Sequence, residues 1–421
     1  MTTLRFLHCS DLHLDSPLDG LERYPGAPVD ALRGATRAAL ENLVELAIAR
    51  RVAFVVIAGD LFDGDWRDVN TGLFFNAQML RLGRHGIRVY LKRGNHDAAS
   101  EITRALAAPD NVFEFPTGRA HTFRIDELGV ALHGRSFADR AVPEDLAAGY
   151  PAPVPGCFNI GVLHTSLGGY AAHDPYAPTT LDTLRARGYD YWALGHVHAR
   201  EVLQVEAPRI VYCGNLQGRH AGETGPKGCE LVEVVAGEVR AEPVELDVLR
   251  WSVIALPIDG LAEVSDFRRA AERAMRDAHD AAGGRLSAWR LRVVGAGPLH
   301  RWLSARPDEA HAELRSVANL ASDGRAWVEK IVTACRPPAD APRPGPDDPL
   351  HDCLALAAEL RADPDALGAF SADAMRDLLP KLPAPLRAGP QSLGLEDPRV
   401  LAGLLAEAES LLLERLAEDT R

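Results

Sequence analysis

An α/β fold built on a largely parallel sheet is what this 421-residue sequence predicts, and two observations carry the prediction. Short apolar runs, Arg5-Phe6-Leu7-His8-Cys9, Phe54-Val55-Val56-Ile57 and Val89-Tyr90-Leu91-Lys92-Arg93, alternate with stretches of helical periodicity. Strands separated by helices of that length make βαβ units, whose strands run parallel. Each run also leads into a polar cluster rich in Asp, Asn and His, at the strand end where open α/β sheets bind ligands.

Taken in order, the first strand ends at Ser10-Asp11-Leu12-His13. Asp and His two apart lie on one side of an extended segment, so both can reach one metal ion. An irregular loop runs through Pro28, and then Leu32, Leu40, Leu43, Val44, Leu46 and Ala47 give Asp30 to Arg50 the spacing of an amphipathic helix. The second strand runs into Gly59-Asp60-Leu61-Phe62-Asp63. A helix around Asn70 to Arg84 returns the chain to the third strand and Gly94-Asn95-His96-Asp97. Two further runs follow: Ile160 to Leu163 leads into His164-Thr165-Ser166, and Tyr191 to Leu194 into Gly195-His196-Val197-His198.

Glu201 to Leu246 reads as β-rich, with turns near Pro208, Gly214 and Gly237, and suggests antiparallel strands closing a second sheet. The texture changes at Trp251. A strand over Ser252 to Ile258, a polar helix over Ser265 to Ala282, a strand over Trp289 to Val294 and a helix-rich stretch to Cys335 make a small α/β domain. The expected division is therefore a first domain over 1–248, a small domain over 249–335, a Pro-rich linker over 336–349 and a helical region over 350–421. Its helices are expected at Leu350 to Arg361, Ala372 to Leu379 and Pro398 to Glu418, the last with an apolar stripe from Val400 to Leu416 that a partner or a second copy could cover.

Composition narrows the class. A hydrophobic fraction of 47% and a charged fraction of 25% are ordinary for a soluble globular protein. The six cysteines form no Cys-x-x-Cys pair, which argues against a disulfide framework and a cysteine zinc site. No run approaches membrane-spanning length and no leader pattern opens the chain, so the expected compartment is the cytoplasm. A net charge of −13 counts against a broad basic surface for nucleic acid, although metals or a partner could contact phosphate instead.

Asp11, His13, Asp60, Asn95, His96, His164, His196 and His198 thus all stand at strand ends. Mixed carboxylate, imidazole and amide ligands suit Mn, Fe or Zn better than Ca or Mg. The set is too large for one ion and suits a pair ~4 Å apart with a bridging carboxylate, as in two-metal phosphoesterases. Taken singly, each cluster is ordinary turn chemistry. Five in one chain, all after strands, are not.

These motifs resemble the calcineurin-like metallophosphoesterase family. Within it, Asp11-Leu12-His13-Leu14, Gly59-Asp60-Leu61-Phe62-Asp63 and Gly195-His196-Val197-His198 resemble the SbcD-type DNA-repair exonucleases. Tyr189 to His198, Val211 to His220 and Thr224 to Gly228 look closest to the YhaO-like subgroup. The resemblance implies the family's two-sheet sandwich flanked by helices, followed by a small α/β capping domain and a helical C-terminal tail. It assigns Asp11, His13 and His198 to one metal and Asn95, His164 and His196 to the other, with Asp60 bridging. His96 becomes a proton donor rather than a ligand, oriented by Asp63. Two Mn²⁺ ions are the implied cofactors, with Fe, Zn or Mg as alternatives. DNA is the implied substrate and an SbcC-like ATPase the implied partner.

Other residues keep two readings. His133 and Arg135 stand at a possible strand end where substrate contact is open to them, and Arg219 and His220, like the loop Tyr170 to Tyr176, either line the cleft or serve the structure. The leading function is a Mn-dependent nuclease acting on DNA ends. The alternative is a phosphodiesterase or pyrophosphatase for a small nucleotide or lipid precursor; the lipid-precursor enzymes usually carry Arg at the position of His96. Asp63-Gly64-Asp65 replaces the Asp-Arg-Gly of protein phosphatases, and the complete ligand set argues against a scaffold without activity.

Overall fold

In a computed structural model the described residues are 3–16, 28–63, 68–99, 107–139, 142–167, 177–338, 345, 349–387 and 392–419. The loop Tyr170 to Tyr176 and most of the linker lie outside them. By its internal contacts the chain divides into two compact units. One comprises residues 1–254, 275–290 and 321–330, the other 255–274, 291–320 and 331–421.

The first unit is organised by two six-stranded sheets. Strands β1 (Leu4–Cys9), β2 (Phe54–Ile57), β3 (Arg88–Leu91) and β4 (Val112–Glu114) run parallel, each beside the next. Helices α1 (Val29–Arg50) and α2 (Val69–Arg84) connect the first three as expected. The second sheet holds β5 (His121–Ile125), β6 (Val130–Gly134), β7 (Phe158–His164), β8 (Tyr191–Gly195), β9 (Glu201–Gln204) and β10 (Arg209–Tyr212), in the order β5-β6-β7-β8-β10-β9.

The region after Glu201 departs from expectation in two ways. Of its strands in the second sheet, β9 pairs antiparallel with β10, while β10 lies parallel to β8. The hairpin β11 (Gly228–Val235) and β12 (Glu238–Glu245) crosses to the first sheet, where β11 runs antiparallel to β1. Eight-residue strands of alternating pattern identify a hairpin but do not say which edge it extends.

Three apolar layers result, because both faces of the central strands are covered. Phe6, Phe54, Val56 and Tyr90 from the first sheet meet Ile160, Val162, Tyr191 and Ala193 from the second. Leu7, Cys9, Val55 and Ile57 face the other way, onto Leu40, Leu43 and Val44 of α1 and Phe75, Met79 and Leu82 of α2. A third layer, including Phe137, Leu163, Trp192, Leu194 and Tyr212, covers the outer face of the second sheet. The architecture is a two-sheet sandwich flanked by helices. His8 is among the polar side chains fully buried between the sheets. Its Nδ1 lies 3.0 Å from the Tyr191 hydroxyl and its Nε2 3.2 Å from the Leu194 carbonyl, an arrangement that suits a neutral ring donating through Nε2.

Beyond Leu246 come β13 (Leu249–Pro257), α5 (Val264–Ala281), β14 (Leu286–Val294), α6 (Leu299–Ala305), α7 (Pro307–Ala321) and β15 (Ala326–Thr333). The three strands form a small sheet in that order. Strand β15 corrects the helix-rich reading of the stretch to Cys335. Gly324, at φ 74°, turns the chain after α7, and Ala-Trp-Val-Glu-Lys-Ile-Val-Thr has the β-branched and aromatic content of a strand. In the second unit, helices α8 (Pro349–Ala362), α9 (Pro364–Ala374) and α11 (Pro398–Asp419) bury Leu360, Leu367 and Leu401 together; a short α10 (Ala384–Arg387) intervenes, as α3 (Asn95–Ala99) and α4 (Leu181–Ala186) do earlier. No helix among the described residues is long and apolar enough to cross a membrane.

Burial pushes the His8 pKa down to about 4, against a raising hydrogen bond to Leu194 and the charge of Asp11. Between about pH 6.5 and 4 the unfolded chain takes up a proton that the folded chain refuses, so stability falls on acidification by about 3 kcal/mol over that window. His8→Gln keeps a donor and an acceptor but cannot ionise. Its unfolding free energy, measured in denaturant at pH 7 and pH 4, should fall by about 3 kcal/mol less than that of the parent chain.

Candidate metal centre

The strand-end clusters converge where the C-terminal ends of β1, β2, β3, β7 and β8 meet. Beyond β1 and β2 the two chains stay knitted together: Asp11 N donates to Gly59 O at 2.9 Å, and His13 N to Asp60 O at 3.1 Å. Nine non-glycine residues among those described have positive φ, and four are Asp11, His13, Asp60 and His196. Such conformations cost roughly 1–3 kcal/mol each and persist where the surroundings over-determine them. Here they turn side chains from successive strand ends towards one point.

Among the described residues, three groups of side chains present ligand atoms within 4.8 Å of one another: Asp11 with His13 and His198, His13 with Asp60 and His96, and Asp11 with Asp60 and His164. Asn95 joins through its Oδ1, 2.9 Å from His164 Nε2. His196 stacks edge-on to the His164 ring at 5.2 Å, and its backbone N–H donates to Asp11. All eight residues that the sequence singled out at strand ends are therefore neighbours. Proximity alone would let His96 act as a ligand; its side chain is 31% exposed, where His13, Asp60 and His164 are buried.

The imidazoles are oriented alike. His13 Nδ1 lies 2.6 Å from Asp63, His198 Nδ1 2.6 Å from Glu223, and His164 Nδ1 3.0 Å from the Ala58 carbonyl. With Nδ1 donating in each, Nε2 carries the lone pair. Those Nε2 atoms face one another and the carboxylates: His13 and His198 are 3.2 Å apart, and His164 is 3.3 Å from Asp60. Histidines whose Nδ1–H is tied to a carboxylate or carbonyl are what metal sites use to fix tautomer and ring angle. The residues present fit a pair of divalent cations.

Electrostatics agree with that fit. Burial works to raise the Asp60 pKa, but the charge and hydrogen bond of His164, with His13 and His96, hold it well below the usual carboxylate range. Burial also lowers the His13 pKa, helped by Arg219 and opposed by Asp63 and Asp60. At His164 burial lowers the pKa but Asp60 raises it by more. A buried carboxylate is drawing positive charge to itself, as it would from a cation.

Several contributors carried no role in the sequence reading. Asp97 accepts from Leu61 N and Phe62 N at 2.9 Å and from Gly94 N at 3.0 Å, stapling the β2 and β3 loops. Burial and the charge of Asp60 push its pKa up to about 6. Lys92, fully buried, sits 3.9 Å above the Phe137 ring, and burial takes its pKa down to about 7. Glu223 also accepts from Asn215 and from Arg219. The only hint of it in the sequence is an acid four residues after Arg219. Asp63 proves to be shared, holding His13 at 2.6 Å and His96 at 3.2 Å.

The four residues with open readings separate. His133 is buried inside the second sheet, stacked on Tyr189, with its nitrogens beside Thr122 and Asn159, so it has no free edge for substrate. Arg135 bonds Thr117 O and pairs with Glu144. Arg219 lies between Glu223 and Asp63. His220 is 65% exposed, 3.5 Å from Glu223.

Parts of the chain are similar to known proteins. Residues 4–200 match the family model of calcineurin-like phosphoesterases, and residues 251–336 match the middle domain of metallophosphoesterase YhaO. The uncharacterized metallophosphoesterase YhaO of Bacillus subtilis (strain 168) is 38% identical over 261 residues, 61% of this chain and 64% of that protein. The chain thus spans less than two thirds of that relative's length. DNA double-strand break repair protein Mre11 of Sulfurisphaera tokodaii is 22% identical over 274 residues, 62% of this chain and 68% of its own. Mre11 of Haloferax volcanii is 27% identical over 261 residues, 61% and 55% respectively.

Gly94 sets the clearance on which this geometry depends. A Cβ placed there would stand 2.2 Å from Asp60 Oδ1 and 2.8 Å from Asp60 N. Gly94→Ala should push the Asp60 carboxylate aside and lower Mn²⁺ affinity at least tenfold, with far-UV circular dichroism unchanged; metal titration of the two chains checks it.

Proposed function

Because residues 4–200 match the family model of calcineurin-like phosphoesterases, we propose that the chain is a Mn²⁺-dependent phosphodiesterase that cleaves DNA. The observation that carries the reading is the convergence of two buried carboxylates, an amide and inward-facing imidazoles at the strand ends. Asp11, His13 and His198 would hold one ion, and Asn95, His164 and His196 the other, with Asp60 shared. When bound, the ions supply Lewis acidity towards the phosphate oxygens and lower the pKa of the attacking water.

The chain's own residues supply the rest. Water's oxygen bonds to phosphorus as the ester P–O bond breaks, and the leaving oxygen needs a proton. His96 is the group to give it, because it is the least buried imidazole close to Asp60 and its Nδ1 lies 3.2 Å from Asp63, which fixes the ring. Asp63 stays ionised and so can hold that ring: burial raises its pKa, but bonds from His13 and His96 and the charge of Arg219 lower it by more.

DNA is favoured as substrate by the likeness to the Mre11 proteins, whose names give double-strand break repair as their role. The net charge of −13 sets a condition on that choice. A chain this acidic holds DNA weakly by itself, so the basic surface would come from a partner, which we take to be an SbcC-like ATPase. The same acidity favours a second reading, a phosphodiesterase for a small nucleotide.

One assay separates the readings. The purified chain is incubated with Mn²⁺ at low ionic strength, where weak DNA binding is strengthened, with excess single- or double-stranded DNA beside bis-(p-nitrophenyl) phosphate. Chelator-sensitive cleavage of DNA is expected; turnover of the small diester with DNA left intact would transfer the assignment to the second reading. His96→Ala should keep its metal content and lose ~10²–10⁴ in turnover. Metal lost in step with activity would make His96 a ligand.

A further inference from the structure

We infer that Arg219 is a positioning residue whose guanidinium spans Asp63 and Glu223 and thereby fixes His13 and His198, the two imidazoles of a single metal position. The inference rests on the metal-centre reading above. It concerns how the chain makes its two ion positions unequal.

The contacts form a closed circuit. Arg219 Nη2 donates to Glu223 Oε1 at 2.9 Å, its backbone N donates to Glu223 Oε2 at 2.8 Å, and Nη1 lies 3.4 Å from Asp63 Oδ2. Glu223 Oε1 holds His198 Nδ1 at 2.6 Å, and Asp63 Oδ1 holds His13 Nδ1 at 2.6 Å. The circuit closes at the far side of the rings, where the two Nε2 atoms stand 3.2 Å apart. The Arg219 side chain is only 14% exposed, so the fork is shielded from competing water. Ser16 and Asn215 complete the cage, Ser16 on Asp63 and Asn215 on Glu223.

Among the described residues nothing comparable holds His164. Its Nδ1 meets the backbone carbonyl of Ala58, which follows β2 directly and needs no charged support. One metal position therefore depends on a side-chain network with a net charge of −1, counting Arg219 as positive and the two carboxylates as negative. The other depends on the sheet.

Two effects oppose each other on removal of Arg219. Its charge repels a cation, so Coulomb forces alone would tighten metal binding without it. But Asp63 and Glu223 would then be buried carboxylates deprived of a shared cation. Without the guanidinium between them the two like charges repel, and each would swing towards solvent and release its imidazole. We take the second effect to dominate, because the repulsion is already cancelled locally by the carboxylates that flank the guanidinium. A lysine could supply the charge but not the planar fork that reaches both partners.

The test is titration of Mn²⁺ into the metal-free full chain by calorimetry, with electron paramagnetic resonance at each equivalent. The parent chain should bind two ions and show a spin-coupled pair; fewer than two would refute the metal-centre reading itself. Arg219→Gln should bind one ion as before and the other ~10–100-fold more weakly, giving the uncoupled six-line spectrum at two equivalents. Arg219→Lys should fall with it. Unchanged or tighter binding of both ions in Arg219→Gln, or a parent-like Arg219→Lys, would overturn the inference. Should Arg219→Gln fail to fold, Glu223→Gln breaks the same circuit while preserving shape, and two parent-like ions in that variant would overturn it equally.

Discussion

Two carboxylates, Asp11 and Asp60, are buried where the edges of two sheets meet, and the rest of the molecule is arranged around satisfying them. A buried carboxylate without compensating charge costs several kcal/mol. Backbone N–H groups meet part of that demand, from His196 to Asp11 and from His96 to Asp60. Ser10 Oγ donates a further bond to Asp11, and the remainder is left to a cation that the carboxylates and the Nε2 lone pairs would hold in common. Those imidazoles cannot neutralise a carboxylate while they stay unprotonated, so the cluster as a whole calls for metal.

The sandwich makes this possible by bringing five parallel strand ends to one place from two directions. Neither sheet alone has the set: Asp11, Asp60 and Asn95 belong to the first, His164, His196 and His198 to the second. Close approach is what the glycines permit. A Cβ on Gly59 would stand 2.4 Å from His164 Nδ1, so any larger residue there would force the two sheets' loops apart. The left-handed backbone at Asp11, His13, Asp60 and His196 is the other device, and Asp97 locks it from behind with three accepted hydrogen bonds.

Much of this could be read in the sequence because the ligands are strand-end residues. Runs such as Phe54-Val55-Val56-Ile57 announce a strand buried on both faces, and the polar residue just beyond must lie at its end. What escaped was anything decided by non-local pairing. The hairpin β11–β12 was legible as a hairpin, yet its edge was chosen by packing against β1. Strand β15 was hidden in a segment between helices. At the site, the same distinction holds. Asp11, Asn95 and His164 stand in recognisable contexts, whereas Glu223 and Lys92 matter through neighbours more than twenty residues away, at His198 for the one and at Asp60 and Phe137 for the other. His133 looked like a strand-end histidine and is an interior one, because β6 continues past it to Gly134 inside the sheet.

Whether these residues hold two cations decides everything built on them, and anomalous diffraction from Mn²⁺-loaded crystals of the full chain tests it most directly. Two peaks roughly 4 Å apart are predicted, one beside Asp11, His13 and His198, the other beside Asn95, His164 and His196, with Asp60 touching both. A single peak, or a pair that leaves Asp60 out, would contradict it.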